Sequence, residues 1–364
     1  MAQSDDIRFM TLALALGRRG LGRTWPNPAV GAVIVKDGVI VGRGWTQPGG
    51  RPHAEVEALR RAGPAARGAA LYVTLEPCSH FGKSPPCADA VIAAGISRVM
   101  SAIEDPNPEV AGAGHARLRA AGIAVDIGLG ADEARHDHVG HISRVTRGRP
   151  HVMLKLAVSA DGKAGATGRR PVAITGEAVR ERVHLLRAQN DAIMIGIGTA
   201  LADDPLLTCR LPGMEKYSPV RIVADSLLRL PLNSRLVQTA YETPVWVVAG
   251  AAAPQEAEFQ LLQLGVKVLR LPDSTDPLDL KDALGVLAAK GISRLMVEGG
   301  PTLAAALVAA DLVDEAILFH SDKVVGPDGI EALEATASTM LKQRLKLVAT
   351  EPVGSDRQQT YERR

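Results

Sequence analysis

Apolar and polar positions along this chain switch repeatedly between a helical and an extended period, and the switches predict an α/β protein. The opening segment reads as a helix: Ser4 can cap it, Asp5 and Asp6 suit its positive end, Arg18 and Arg19 its negative end, and Gly20 its left-handed exit. Val30 to Val35 and Val39 to Val41 then flank Lys36-Asp37-Gly38, a hairpin signal in which the glycine supplies a positive backbone angle. A helix from about His53 to Ala62 stops at Gly63-Pro64, and Ala69 to Leu75 is an apolar run suited to a buried strand. The alternation repeats with a helix from Cys87 to Ala94, a strand through Ser97 to Ile103, a further helix up to Gly122, and a short strand from Ile123 to Ile127.

Arg144 to Pro150 combines positive charge, Gly and Pro just before a new apolar strand, His151 to Val158, so a domain boundary is expected there. Further strands are expected at Ala192 to Gly196, Val220 to Ala224, Pro244 to Val248, Val266 to Leu271 and Leu295 to Val297. The reading is two α/β domains, residues 1–146 and 151–364, with Arg357 to Arg364 as a polar tail. A length of 364 residues agrees with two domains, since one hydrophobic core usually serves fewer.

Composition narrows the function. Eleven aromatics are a meagre platform for stacking bases, and 42 basic against 40 acidic residues give no general attraction to nucleic acid or anionic lipid. The halves are also unremarkable, with 18 basic and 14 acidic residues in 1–150. Asp5 and Asp6 stand where a secretory signal would be basic, and the apolar stretch Pro301 to Ala310 is too short to span a membrane. A cytoplasmic protein without membrane or nucleic-acid partners is expected. Three cysteines cannot form a disulfide framework, which directs attention to metal binding or plain burial.

The sharpest chemical signal is Pro52-His53-Ala54-Glu55, followed by Glu76-Pro77-Cys78 and then Cys87. One imidazole and two thiolates suit Zn²⁺ and leave a fourth tetrahedral position for water, whose pKa such a metal lowers toward neutrality. His53 and Glu55 are about 200° apart on a regular helix, so both can approach one metal only where the helix is beginning, as Pro52 favours. The order H-x-E and then P-C is that of zinc deaminases, in which the glutamate moves protons rather than binding metal. Alone, any of these residues would read as a helix cap or a buried small side chain; their joint occurrence in this order carries the metal reading.

The second cysteine lies nine positions after the first rather than three, which makes Ser79 to Pro86 a loop that could carry specificity or fold over the pocket. His80 is a rival ligand, though its two-residue separation from Cys78 makes joint ligation awkward. His136-Asp137-His138 with His141 is denser in nominal ligands, but 136 and 138 point nearly opposite ways on a helix, so a solvated helical face is expected. His115, His151, His184 and His320 are isolated and receive no metal role.

Asn27-Pro28-Ala29-Val30-Gly31, His53 to Leu59, and Thr74 to His80 through Pro85-Pro86-Cys87 resemble the deaminase half of the bifunctional riboflavin-biosynthesis deaminase/reductase family, whose own variant is the long cysteine spacing. The resemblance continues through Ser159 to Lys163, Leu185 to Arg187, Asp191 to Ile193, Gly198-Thr199, Ala202 to Arg210 and Val297 to Leu303, nearly the whole chain. It implies a cytidine-deaminase-like α/β/α sandwich followed by a dihydrofolate-reductase-like α/β domain. It also implies Zn²⁺ on His53, Cys78 and Cys87, Glu55 as proton shuttle, and Asn27 on the substrate ring. In the second half it implies NADPH against Val158, Thr199, Asp203, Gly300, Pro301, Thr302, Leu303, Ala304, Ala305 and Ala306, with Arg187, Leu207, Arg210 and Glu298 on substrate.

The substrate implied is a small pyrimidine ribonucleotide-like molecule, deaminated and then reduced from ribosyl to ribityl, by a homo-oligomer. Physical reading supports part of this: Gly299-Gly300 permit close approach, and Pro301 opens a helix whose positive end suits a cofactor phosphate, although Gly-Gly-Pro-Thr alone is equally a turn. Arg187 and Arg210 offer planar donor forks suited to a sugar phosphate. Asp203-Asp204-Pro205 is equally cap and turn chemistry. Two departures stand out: Pro171 and Ala173 replace a serine and tryptophan common in the family, and His141 replaces a phenylalanine. The competing reading is a zinc deaminase acting on RNA with a non-reductase accessory domain, and a third is a zinc-stabilised scaffold without catalysis.

Overall fold

The computed structural model describes residues 2–82, 85–166, 172–271 and 278–363. The chain divides into two compact units, Met1–Gly148 and Arg149–Arg364.

Unit one runs α1 (Ala2–Arg18), β1 (Gly31–Lys36), β2 (Val39–Trp45), α2 (Ala54–Ala62), β3 (Ala70–Val73), α3 (Cys87–Ala93), β4 (Arg98–Ser101), α4 (Ala113–Ala120), β5 (Ala124–Ile127), α5 (Ala131–Asp137) and α6 (Val139–Arg147). Helix α1 begins two residues before Ser4, so the expected cap lies inside the helix. Asp37 and Gly38 both take positive φ, 51° and 77°, which lets a two-residue turn join β1 to β2 with Lys36 opposite Val39. The sheet order is β2-β1-β3-β4-β5, with β1 antiparallel to both neighbours and β3, β4 and β5 parallel.

Two glycines show how the layers form. A Cβ on Gly31 would lie 1.9 Å from the Ala13 carbonyl of α1, and one on Gly44 would lie 2.1 Å from the Ala54 carbonyl of α2. Gly44 pairs with Ala32, the neighbour of Gly31, so these two glycines face opposite sides of the sheet. Helices α1 and α2 therefore cover opposite faces, an α/β/α sandwich in which missing side chains let backbone meet backbone.

Unit two runs β6 (His151–Val158), β7 (Lys163–Gly165), α7 (Glu177–Gln189), β8 (Ala192–Gly196), α8 (Ile197–Asp203), β9 (Val220–Ala224), α9 (Arg235–Gln238), β10 (Val245–Gly250), α10 (Gln255–Gln263), β11 (Lys267–Leu271), α11 (Leu280–Ala289), β12 (Arg294–Val297), α12 (Pro301–Ala309), β13 (Glu315–His320), β14 (Ile330–Glu331), α13 (Ala335–Arg344), β15 (Leu345–Val353) and β16 (Asp356–Arg363). Its main sheet has the order β11-β10-β9-β8-β12-β6-β13-β16-β15, parallel from β11 to β13 and antiparallel beyond.

Two further expectations are corrected. Residues 357–363 are no tail: they lie in β16, which is paired on both edges, by β13 and β15. Its polar composition hid it, because the apolar complement comes from β13, a partner remote in sequence. The histidine cluster is solvated only at the exposed His136. The helical run breaks at His138, which is buried with Nε2 3.2 Å from Thr74 Oγ1, while the buried Asp137 takes Arg18 Nε at 2.8 Å. Among the described residues no helix is long and apolar enough to cross a membrane.

Candidate active sites

Three segments of unit one converge on one point. Cys78 follows β3 by a short loop, Cys87 opens α3, and His53 is the N-cap of α2 with extended backbone, φ −69° and ψ 160°. That non-helical geometry lets the His53 ring and the Glu55 side chain, one turn position into α2, approach the same place. His53 Nδ1 lies 3.2 Å from Cys87 Sγ and 3.6 Å from Cys78 Sγ, and all three donor atoms fall within 4.8 Å of one another. Behind the ring, Asn27 Nδ2 is 3.4 Å from His53 Nε2 and donates to the Gly50 carbonyl at 2.8 Å. His80 is exposed and stands outside this group.

The electrostatics suit a cation. A hydrogen bond from the Cys87 side chain, then His53, pulls the Cys78 thiol down to about 4, and the Cys87 backbone N–H donates to Cys78 Sγ at 3.3 Å. Burial pushes Glu55 up to about 7, at only 3% exposure. An imidazole nitrogen with two sulfurs at this spacing is a donor set for a borderline-soft divalent ion, so the chain holds a metal-binding site of a kind that fits Zn²⁺.

In unit two, of the neighbouring parallel strands β8 and β12, β8 runs directly into α8 and β12 reaches α12 through a short loop, at the carboxyl ends where ligands of open α/β sheets commonly sit. Gly300, with φ 78°, is the N-cap of α12, and a Cβ on it would lie 2.6 Å from Thr199 Oγ1 of α8. Pro301 and the exposed Thr302 open the helix, whereas Leu303 and Ala304 are buried in the core, Ala305 is half-buried and Ala306 exposed. Val158 ends β6, the other neighbour of β12, and Asp203 is exposed at the end of α8.

Beside this edge lies a charge cluster. Arg187 donates from Nε and Nη2 to the two Glu298 oxygens at 2.6 and 2.9 Å, and from Nη1 to the Thr208 carbonyl at 3.0 Å. Its donor fork is thus turned inward, while Arg210 is exposed, with Nη1 3.5 Å from Thr208 Oγ1. Leu207 is buried with φ 56°. Lys155, missed in the sequence, places Nζ 3.9 Å from Glu298 Oε2. Its only signal was a lone lysine within the apolar strand β6. Burial alone would raise Glu298, yet Arg187 and Lys155 hold its carboxyl down at about 2, and burial lowers Lys155. Of the two departures, Pro171 lies outside the described residues, and the exposed Ala173 gives its carbonyl to Lys323 Nζ at 2.7 Å. His141 Nε2 lies 3.1 Å from Asp105 Oδ1.

Fold and sites together define a two-part enzyme class, a deaminase-like zinc-site domain joined to a reductase-like α/β domain. The family model for the cytidine and deoxycytidylate deaminase zinc-binding region matches residues 3–103, and that for the RibD C-terminal domain matches 150–358. Riboflavin biosynthesis protein RibD of Escherichia coli is 45% identical over 335 residues, 89% of each chain, and that of Aquifex aeolicus 41% over 362 residues, 98% of each. The solved Acinetobacter baumannii RibD superposes with TM-score 0.88 at 36% identity over 99% of both chains. A Thermotoga maritima diaminohydroxyphosphoribosylaminopyrimidine deaminase/5-amino-6-(5-phosphoribosylamino)uracil reductase gives 0.85 at 33% identity over 100% of both. The chain belongs to the RibD family of bifunctional riboflavin biosynthesis proteins.

Proposed function

We propose that this chain performs two consecutive steps of riboflavin biosynthesis. It removes an amine hydrolytically from 2,5-diamino-6-(5-phosphoribosylamino)pyrimidin-4(3H)-one, then reduces the ribosyl side chain with NADPH, giving 5-amino-6-(5-phosphoribitylamino)uracil. The observation that carries the reading is the His53, Cys78 and Cys87 donor set with the buried Glu55 beside it, in a chain similar to RibD proteins along nearly all its length.

His53, Cys78 and Cys87 would hold a zinc ion, which when bound would supply a water of lowered pKa. Glu55, poised near neutrality by burial, takes a proton from the attacking water and delivers it to the departing amine, which leaves as ammonia. Asn27, anchored on Gly50, meets the amide-like edge of the ring.

In unit two, NADPH when bound supplies the hydride that reduces the sugar carbon bearing the nitrogen. The α12 start at Gly300, where Thr199 approaches so closely that only a glycine fits, receives a cofactor phosphate. Lys155 supplies the proton that the sugar oxygen takes up as its bond to that carbon opens. Glu298 holds Lys155 and Arg187 in register, and the outward guanidinium of Arg210 meets the substrate phosphate.

Glu55→Gln tests the division of labour. Ammonia release should be lost while zinc is retained and reduction of the already deaminated compound continues at the wild-type rate. Equal loss of both reactions would refute two separate sites.

A further inference from the structure

The Cys78 and Cys87 segments are tied together from outside the metal site by helix α4, which takes no part in ligation. Glu76 is buried, and each of its oxygens accepts two backbone N–H groups from the start of α4 and the loop before it. Oε1 takes Gly114 at 2.7 Å and His115 at 3.1 Å; Oε2 takes Gly112 at 2.9 Å and Asp105 at 3.0 Å. The helix start consequently lies directly on the peptide next to Cys78, so close that a Cβ on Gly114 would sit 2.0 Å from the Pro77 carbonyl. One turn further, Arg117 reaches both cysteine segments at once: Nη1 donates to the Ser79 carbonyl at 3.3 Å, and Nε pairs with Asp89 Oδ1 at 2.6 Å in the first turn of α3.

Glu76, Glu104 and His115 also bring three possible ligand atoms within 4.8 Å, with His115 Nδ1 3.6 Å from Glu76 Oε2 and 3.9 Å from Glu104 Oε2. A carboxylate has about four lone-pair positions, however, and the four N–H groups occupy all of those on Glu76. Its chemistry is that of an anchor rather than a second cation site.

We propose that Glu76 and Arg117 are positioning residues that set the separation of the two thiolates, with α4 as the brace between them. The nine-residue spacing between Cys78 and Cys87 gives no short local turn to hold the sulfurs, as a C-x-x-C would; Cys87 N–H on Cys78 Sγ at 3.3 Å and Ala88 N–H on the Cys78 carbonyl at 3.1 Å join the two segments directly, and the neighbouring helix braces them from outside. The inference rests on the metal-dependent deaminase reading above. Outer partners of metal ligands typically alter metal affinity 10- to 100-fold when lost.

The test uses the full-length protein loaded with Co²⁺ or Zn²⁺, with Glu76→Gln, Arg117→Met and Arg117→Lys, and Arg119→Met as a control on the same helix. Glu76→Gln and Arg117→Met should release zinc to a chelator about 10-fold faster or more and shift the cobalt ligand-field bands. Arg117→Lys should recover part of the loss, Arg119→Met should match wild type, and reduction of the deaminated compound should be unchanged throughout. Wild-type release rates and cobalt spectra in folded Arg117→Met would overturn the brace. So would a second metal equivalent in the wild type that disappears in Glu76→Gln, which would make Glu76 a ligand. A wild-type protein with no thiolate-to-cobalt band would instead refute the metal reading itself, and the brace with it.

Discussion

Replacing Glu298 with glutamine removes the carboxylate that pairs with both Lys155 and Arg187, with a direct consequence for reduction. Lys155 Nζ is 3.9 Å from Glu298 Oε2, a separation worth about 4 kcal/mol of attraction at an effective dielectric near 20. Burial already lowers the Lys155 pKa and Glu298 opposes that, so neutralising the carboxylate lowers it further. If the ammonium form supplies the proton for reduction, activity falls as pH rises through that pKa. Glu298→Gln should therefore move the alkaline limb of kcat/KM toward acid by more than one pH unit, even if solvent and rearrangement cancel half of the attraction. The assay follows NADPH absorbance with the deaminated substrate across pH, using ammonia release by the same chain as the internal control. Lys155→Met should lower reduction and abolish the limb. Glu298→Asp, which keeps the charge, should keep the limb should glutamine prove too destabilising. An unmoved limb in Glu298→Gln, with activity still measurable, would refute Lys155 as the proton source.

One further outcome concerns the same cluster and another the packing of α2. The Glu298 carboxyl is held at about 2 against an ordinary 4.5, so its contribution of about 3 kcal/mol is present above the ordinary value and is lost as pH falls from there through about 2. The stability of the second unit, followed by circular dichroism, should accordingly decline as pH falls below about 4.5 in the wild type and decline less steeply in Glu298→Gln; equal slopes would refute the contribution. Gly44→Ala would force a Cβ within 2.1 Å of the Ala54 carbonyl and push α2 off the sheet, at a cost of about 1–3 kcal/mol. Because α2 carries Glu55 and starts at His53, chelator-sensitive zinc loss should rise and ammonia release fall while reduction persists; unchanged zinc retention would contradict the close packing.

The local elements were legible because their signals are local. Asp37-Gly38 specifies the tight turn between β1 and β2, and the period change after Pro52 places His53 at the start of α2, from which its ring and Glu55 can reach one point. The metal ligands announced themselves through residue types that ordinary cores seldom group in that order. What lay beyond sequence were the pairings between distant segments. Arg187 and Glu298, 111 positions apart, cancel one another, so an arginine that looked ready for a phosphate is already engaged. Lys155 reads as one stray charge until β6 is set beside β12. The strand β16 reads as a polar tail until β13 provides its apolar neighbours, and His138 reads as solvated until the helical run breaks and turns it toward Thr74. Periodicity and turn chemistry act over a few residues and survive in one dimension. Charge compensation, strand neighbours and burial depend on which remote surfaces meet, and only the folded chain decides that.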